Sequence, residues 1–171
     1  MIDSLIQTIS NPESTTKTDY IDFRSPDVQH KKTGKFNELI IYTDGASRGN
    51  PGKAGIGVAI LDKDNHVVEE LCRFIGRTTN NVAEYRAMIL AAQKAIEYHA
   101  KKVIFKTDSE LLVRQLNGIY QVKSPNILPL YHELMALLRK IPDWEARHVF
   151  REKNARADAL ANRGIDSSGP N

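Results

Sequence analysis

One stretch limits the possible folds of this chain more than any other: an apolar run that carries a single acid into a glycine-rich segment. Residues 39–43 read Leu-Ile-Ile-Tyr-Thr, and such β-branched and aromatic side chains predict a buried strand. Asp44 follows directly, so we expect it at the carboxyl end of that strand. Residues 45–53 are predicted to form a loop, too long for a two-residue hairpin, although a turn at Asp44-Gly45 is the alternative.

The composition predicts a soluble protein with one domain of ordinary size. Of the 171 residues, 41% are hydrophobic and 26% are charged, which allows a real core. The chain has no membrane-length apolar run and no secretory signal pattern, so a cytoplasmic location without membrane contact is expected. Because Cys72 is the only cysteine, a bound metal would be held mainly by oxygen. The net charge of +3 permits a polyanionic partner.

Hydrophobic periodicity and turn chemistry divide the chain into strands and helices. The predicted strands cover residues 39–43, 55–61, 66–75, 102–107 and 144–150. The predicted helices begin near Asn80 or Asn81, Ser109, Ile127 and Asn154, and end near Ala100, Asn117, Lys140 and Gly164. Short connections make the first three strands an antiparallel meander, whereas the fourth follows a helical crossover and should run parallel to a neighbour. The predicted fold class is α/β, a five-stranded mixed sheet flanked by helices.

Composition also suggests where the folded part begins and ends. Residues 1–36 have few apolar side chains and no sustained period, so they are predicted to be a mobile N-terminal extension. Residues 37–165 carry all the predicted strands and helices. Residues 166–171 are predicted to be a polar tail.

Four acids occupy comparable places, at strand ends or in the first turns of helices: Asp44, Glu84, Asp108 and Asp158. Each alone has a purely structural explanation. Glu84 fits a capping box begun by Asn81. Asp108 fits a helix N-cap, and Asp158 fits an early-helix acid that faces the helix dipole.

Together, the four acids are better explained as one site. Asp44 and Asp108 end strands that can be parallel neighbours, which would place both carboxylates at one carboxyl edge of the sheet, where ligand sites are favoured. Helix starts carrying Glu84 and Asp158 would complete a cluster that repels itself unless cations bind. Two divalent ions roughly 4 Å apart would activate water and stabilise the leaving oxygen of a phosphodiester.

Four motifs in this order resemble the type 1 ribonuclease H family over about residues 38–164: Thr43-Asp44-Gly45 with Gly49-Asn50-Pro51-Gly52, Thr78-Thr79-Asn80-Asn81 with Glu84, Thr107-Asp108-Ser109, and Asn154 with Ala157-Asp158. The resemblance implies a ribonuclease H-like fold and makes residues 37–165 the catalytic domain. It also implies magnesium- or manganese-dependent endonucleolytic cleavage of the RNA strand of RNA–DNA hybrids, with 3′-hydroxyl and 5′-phosphate products.

The resemblance further implies the roles of particular residues. The catalytic acids, which would bind two metal ions, are Asp44, Glu84, Asp108 and Asp158. Asn50, Asn80 and Asn81 would contact the minor-groove face of the hybrid, and Thr79 would help to hold a DNA phosphate. Short amides suit this task, because they can both donate to and accept from the 2′-hydroxyls that mark the RNA strand.

The sequence departs from the family pattern before the last acid. Many members carry a histidine in a flexible loop there, whereas residues 151–153 contain none. His148 lies at a similar count from the last acid, but strand alternation puts it on the face of Trp144 and Phe150. We therefore predict a packing or sheet-surface role for His148.

A second departure lies after the short helix, where many members insert a basic helix. Here residues 119–126 form the whole link, and Lys123 is its only base. The sequence therefore predicts a shallow salt dependence of hybrid binding, from about three to five phosphate contacts. Lys31, Lys32 and Lys35 of the extension would offset the loss.

The predicted function is cleavage of RNA–DNA hybrids by a monomer with no evident protein partner. A catalytically silent hybrid-binding module on the same fold is the alternative, which the presence of all four acids disfavours. A nuclease or recombinase of the same broad fold acting on DNA is a second alternative, which the Asn80-Asn81 pair disfavours.

Overall fold

Five strands form one mixed sheet at the centre of the molecule. The computed structural model describes residues 36–170. Its strands are β1 (Glu38–Gly49), β2 (Gly52–Asp62), β3 (Val67–Thr78), β4 (Lys102–Thr107) and β5 (Asp143–His148), in the order β3-β2-β1-β4-β5. β1 to β3 pair antiparallel, whereas β4 runs parallel to both β1 and β5. The predicted five-stranded mixed sheet is confirmed.

Helices cover both faces of this sheet. They are α1 (Asn80–Glu97), α2 (Glu110–Leu116), α3 (Leu128–Leu138) and α4 (Ala155–Asp166), with a short 3-10 turn, Arg151–Lys153, before α4. Leu39 and Ile41 of β1 belong to the core cluster that includes α1 and α3. Their neighbours Ile40 and Tyr42 pack instead on the cluster that contains Leu160 of α4. Since successive side chains of a strand point to opposite faces, α1 and α4 cover opposite faces of the sheet.

The largest side chains of the core lie between the sheet and the α1–α3 layer. Ile41, Met88, Phe105 and Leu134 are fully buried. Burying one such side chain contributes about 1.5–3 kcal/mol. This core fixes β1, which contains the first acid, beside β4, which precedes the third.

β1 is longer than predicted, and the loop expected over residues 45–53 is wrong. β1 pairs with β2 without interruption to its last residue, so only Asn50 and Pro51 connect the two strands. Pairing with β4 stops earlier, at Thr43. The glycines that suggested a loop are weak strand formers, but the hydrogen-bond ladder with β2 holds them in the strand. Asp44 therefore lies inside β1, at the point where its parallel partner ends.

Helix α1 also begins earlier than the sequence predicted. Thr79, rather than Asn80 or Asn81, is the N-cap, because its hydroxyl oxygen accepts a hydrogen bond from the backbone N–H of Val82 at 3.4 Å. Both asparagine side chains are therefore free of the capping role that the sequence assigned to one of them.

Gly164 does not stop the last helix as predicted, since α4 continues to Asp166. Its role is close packing. A Cβ at this position would lie 2.5 Å from the backbone oxygen of Arg73 in β3. A glycine near the end of α4 thus allows the helix to pack directly on the strand.

The predicted extension lies almost wholly outside the described residues. Its last residue, Phe36, packs edge-on against Tyr98, with ring centroids 5.4 Å apart. Between Phe36 and Pro170, no helix has the length and apolar character that crossing a membrane requires.

Candidate active site

Three carboxylates converge where β4 ends beside β1. Asp44 in β1, Glu84 in α1 and Asp108, which follows β4, each offer an oxygen, and these oxygens all lie within 4.8 Å of one another. Asp44 and Glu84 are only 4% and 6% exposed. The structure thus brings three of the four predicted acids into one compact group.

A glycine allows Glu84 to reach this group. A Cβ at Gly45 would lie 2.2 Å from the backbone carbon of Ala83, so only glycine lets the first turns of α1 approach β1 so closely. The backbone N–H of Gly45 donates to Glu84 Oε2 at 3.3 Å. The side chain of Glu84 therefore bonds to the neighbouring strand, and not back to its own helix start as a capping box requires.

Asp108 is likewise not the helix N-cap that its position in the sequence allowed. Ser109 is the N-cap of α2, because its hydroxyl accepts from the backbone N–H of Leu112 at 3.3 Å. Asp108 Oδ1 instead accepts a hydrogen bond of 3.4 Å from Asn154 Nδ2.

Asn154 is a site residue that sequence reasoning treated only as a helix cap. It stands at the N-cap position of α4 but makes no side-chain cap bond. Its Nδ2 donates to the backbone oxygen of Thr43 at 2.9 Å as well as to Asp108, and the residue is 1% exposed. Only its place in the last motif could have marked it, because a local pattern shows no partner more than forty residues away.

Asp158 lies beside this group on the exposed side. It stands one turn into α4, and its side chain is 34% exposed. Its carboxylate helps to raise the pKa of Asp44. Arg151 Nη2 lies 3.9 Å from Asp158 Oδ1, so the fourth acid is partly balanced by a cation at the rim.

The buried acids resist ionisation in the absence of a cation. Burial, together with the charges of Asp108 and Asp158, raises the pKa of Asp44 to about 8. Burial also raises the pKa of Glu84 well above its ordinary value, as do Asp44 and Asp108. The N–H of Gly45 opposes the shift at Glu84. A positive charge is what this group lacks.

The donor set of the site fits a hard divalent cation. Asp44, Glu84 and Asp108 offer oxygen alone, and they include two nearly buried carboxylates whose charges repel. Magnesium and manganese prefer such ligands, whereas zinc is bound mainly by nitrogen and sulfur. Together with Asp158, these are the residues that would hold metal ions here.

The predicted substrate-contacting residues lie on the hairpin and at the start of α1. Asn50 Oδ1 accepts from the backbone N–H of Asn80 at 3.2 Å, which joins the β1–β2 connection to α1. Asn50, Asn80 and Asn81 are exposed. Asn81 also lines a small cavity of about 80 Å³ together with Glu84, which links the predicted substrate residues to the acids. Thr79 caps α1 and is partly exposed.

His148 is the last residue of β5, so the predicted strand to Phe150 is two residues too long. It is exposed and stacks edge-on against the exposed ring of Phe150, with centroids 5.7 Å apart. This contact joins two surface side chains. His148 thus lies at the edge of the sheet, and among the described residues it makes no hydrogen bond to the acids.

Comparison with known proteins agrees with this geometry. The profile of a family described as "Reverse transcriptase-like" matches residues 42–164. "Ribonuclease HI" of Halobacterium salinarum is 40% identical over 127 residues, covering 74% of this chain and 64% of the relative. "Bifunctional protein Rv2228c" of Mycobacterium tuberculosis is 39% identical, and this chain spans only 36% of its length. "Ribonuclease H" of Alcanivorax borkumensis is 36% identical, with coverage of 75% of this chain and 91% of the relative.

Solved structures agree as well. The crystal structure of RNase H1 from Halobacterium salinarum has a TM-score of 0.74 at 39% identity, and covers 76% of this chain and 98% of that one. LC11-RNase H1, crystallised in complex with an RNA/DNA hybrid, has a TM-score of 0.73 at 44% identity, with the same coverage of 76% and 98%. The matching profile, the sequence identities and the shared fold show that this chain belongs to the type 1 ribonuclease H family.

Proposed function

We propose that this protein hydrolyses the RNA strand of RNA–DNA hybrids as a metal-dependent endonuclease. The observation that carries the proposal is the group formed by Asp44, Glu84 and Asp108, whose oxygens lie within 4.8 Å of one another although two of these acids are nearly buried. Such a group costs stability in the folded protein unless cations bind to it. A catalytically silent binding module would lose this stability without any gain in function.

We assign each residue of the site a task from the family resemblance, which its contacts support. Asp44, Glu84, Asp108 and Asp158 would hold two magnesium or manganese ions. Bound there, such ions supply Lewis-acid stabilisation of the phosphodiester oxygens and an activated water. Asn154 holds Asp108 in place from a fully buried position. Glu84 is oriented by the N–H of Gly45.

Recognition of the RNA strand would fall to the exposed amides. Asn50, Asn80 and Asn81 can each donate to and accept from a 2′-hydroxyl, which DNA lacks. The bond from the backbone of Asn80 to the side chain of Asn50 sets the hairpin at a fixed place beside α1. Thr79 would contact a phosphate of the DNA strand. The proposal also includes magnesium or manganese as the metal, a monomeric state and a cytoplasmic location. These three parts are supported by the sequence alone.

A cleavage assay on three duplexes tests the proposal. The full chain, with magnesium or manganese, would be given an RNA–DNA hybrid, duplex DNA and duplex RNA of one sequence, with Asp44→Asn as the inactive control. We expect cleavage of the RNA strand in the hybrid alone. Hybrid binding without cleavage by the wild type would show a silent module, and cleavage of duplex DNA would show a DNA nuclease.

A further inference from the structure

Three cations form a row across the end of the sheet that carries the β1–β2 hairpin. Arg48 lies opposite Lys53 in the β1–β2 pairing, and Lys53 lies opposite Arg77 in the β2–β3 pairing. Residues directly opposite in antiparallel strands share a face, with Cβ atoms about 4.5–5.5 Å apart. Like charges in such positions are destabilising. The row therefore favours the approach of an anion.

The row borders a cavity of about 470 Å³, closed on its other side by the end of α4. Among the described residues that line it, Asp166 is the only acid. Arg48 Nη2 lies 2.7 Å from Asp166 Oδ1, and Lys53 Nζ donates to the backbone oxygen of Gly169 at 3.5 Å. Oxygen atoms thus already reach both cations, but one carboxylate leaves most of the positive charge of the row unbalanced.

The protein's own anion is a weak competitor for this place. The side chains of Arg48 and Asp166 are 52% and 63% exposed, and ion pairs with such exposure contribute little stability. A ligand with more negative charge would displace Asp166 from Arg48 at small cost.

The row lies on the same face of the sheet as the first catalytic acid. Asp44 and Arg48 are four residues apart in β1, and side chains at even spacing share a face. At about 3.3 Å per residue their separation along the strand is about 13 Å.

We propose that Arg48 and Lys53 form a phosphate-binding site for a nucleic-acid strand that is engaged at the acids. We call these two residues the hairpin cations. The inference rests on the proposed function, since it takes a hybrid as the ligand of the acids. The hairpin cations give the folded domain positive charge beyond the single base in the short link over residues 119–126.

Binding titrations across a salt series test this site. All variants would be full chains with Asp44→Asn to block cleavage, and the test variant adds Arg48→Gln and Lys53→Gln. The matched control adds Lys63→Gln and Lys101→Gln instead, which remove the same charge from exposed positions at the other end of the sheet. A cation that contacts a phosphate reduces the slope of log affinity against log salt by about one when it is lost.

We expect the hairpin variant to lose about two from that slope relative to the control, to the same extent for hybrids of different sequence. Equal slopes in the two variants would overturn the site. If the Asp44→Asn parent bound no hybrid at any salt concentration, the proposed function would fail instead. Thermal melting of each variant in EDTA confirms that the folds are intact.

Two more measurements identify the ligand. Asp166→Asn removes the internal competitor and should tighten hybrid binding, by no more than about fivefold, because the ion pair is exposed. Thermal melting in inorganic phosphate, compared with chloride at equal ionic strength, shows whether the site binds free phosphate rather than the phosphate of a strand. If phosphate stabilised the parent against heat through the hairpin cations while their loss left the hybrid slope unchanged, the site would bind free phosphate and the inference would be wrong.

Discussion

Two acidic groups in the described part of this protein are both compact enough to hold a metal ion, but they have opposite electrostatics. The group of Asp44, Glu84 and Asp108 lies between β1, β4 and α1, whereas Asp62 and Asp64 lie with His66 in the turn between β2 and β3. In each group the candidate ligand atoms lie within 4.8 Å of one another. Spacing alone therefore does not distinguish them.

The turn group is satisfied by its own backbone. Asp62 Oδ1 accepts from the backbone N–H groups of Asp64 and His66, both at 2.9 Å, and Oδ2 lies 3.3 Å from His66 Nδ1. The N–H of His66 is the main cause that lowers the pKa of Asp62. In the buried group every principal influence raises the pKa of Asp44. Unbalanced negative charge, and not the closeness of ligands, therefore distinguishes the proposed cation site from the turn group.

The largest expected effect separates the two groups by function. Asp44→Asn should lower kcat for hybrid cleavage by at least about a thousandfold, because metal binding supplies several kcal/mol of transition-state stabilisation. Asp108→Asn should do the same. Asp62→Asn, the matched change in the turn, should leave kcat within about twofold. Near-normal cleavage by Asp44→Asn would remove the buried group from the mechanism.

The two groups should also give stability a pH dependence of opposite sign in metal-free protein. The pKa of Asp44 is raised from 3.8 to about 8 on folding, so its stabilising contribution is complete below pH 3.8 and is lost as the pH rises to 8. One extra bound proton corresponds to a loss of about 1.4 kcal/mol per pH unit. The pKa of Asp62 is lowered, so its contribution is present above 3.8 and is lost as the pH falls.

Urea unfolding in EDTA between pH 4 and 8 measures the part of this dependence that comes from Asp44, because the pKa of Asp62 lies below that range. We expect the free energy of unfolding to fall across that range, and Asp44→Asn or added magnesium to reduce the fall. Asp62→Asn should keep it. A free energy of unfolding that was constant with pH in the wild type would contradict a buried group that lacks positive charge.

Asn154 provides a test of the link between the buried group and the fold. Asn154→Ala removes both donations from Nδ2, one of them to a buried backbone oxygen, and should cost about 1–3 kcal/mol in stability. Because Asp108 also loses its partner, kcat should fall about ten- to a hundredfold. Asn117→Ala, at an exposed position after α2, is the control. Loss of stability without any loss of kcat would show a purely structural role.

The smallest effect is expected at His148. Its ring is exposed and contacts Phe150, so His148→Ala should lower kcat by less than about threefold, as a surface change. Asp158→Asn, next to the buried group, should cost far more. Steady-state kinetics at saturating metal compares the two variants, and equal losses would mean that His148 takes part in catalysis.

The sequence predicted the sheet and the acids because both leave local patterns. The run before Asp44 has strand composition, and the acid after Thr107 ends another such run. The length of β1 left no such pattern, because its glycines are held by pairing with β2 that a local window does not contain. For the same reason the role of Asn154 became visible only in its hydrogen bonds, and the row from Arg48 to Arg77 only in the register of the strands.

The early end of β4 has a consequence for the backbone of β1. Two peptide groups of β1 just beyond that end are bonded by side chains: the oxygen of Thr43 by Asn154, and the N–H of Gly45 by Glu84. These side chains make the hydrogen bonds that a neighbouring strand would otherwise make with β1. The site thus continues the hydrogen-bond ladder of the sheet. Loss of Asn154 or Glu84 would therefore remove partners of the β1 backbone as well as groups of the proposed site.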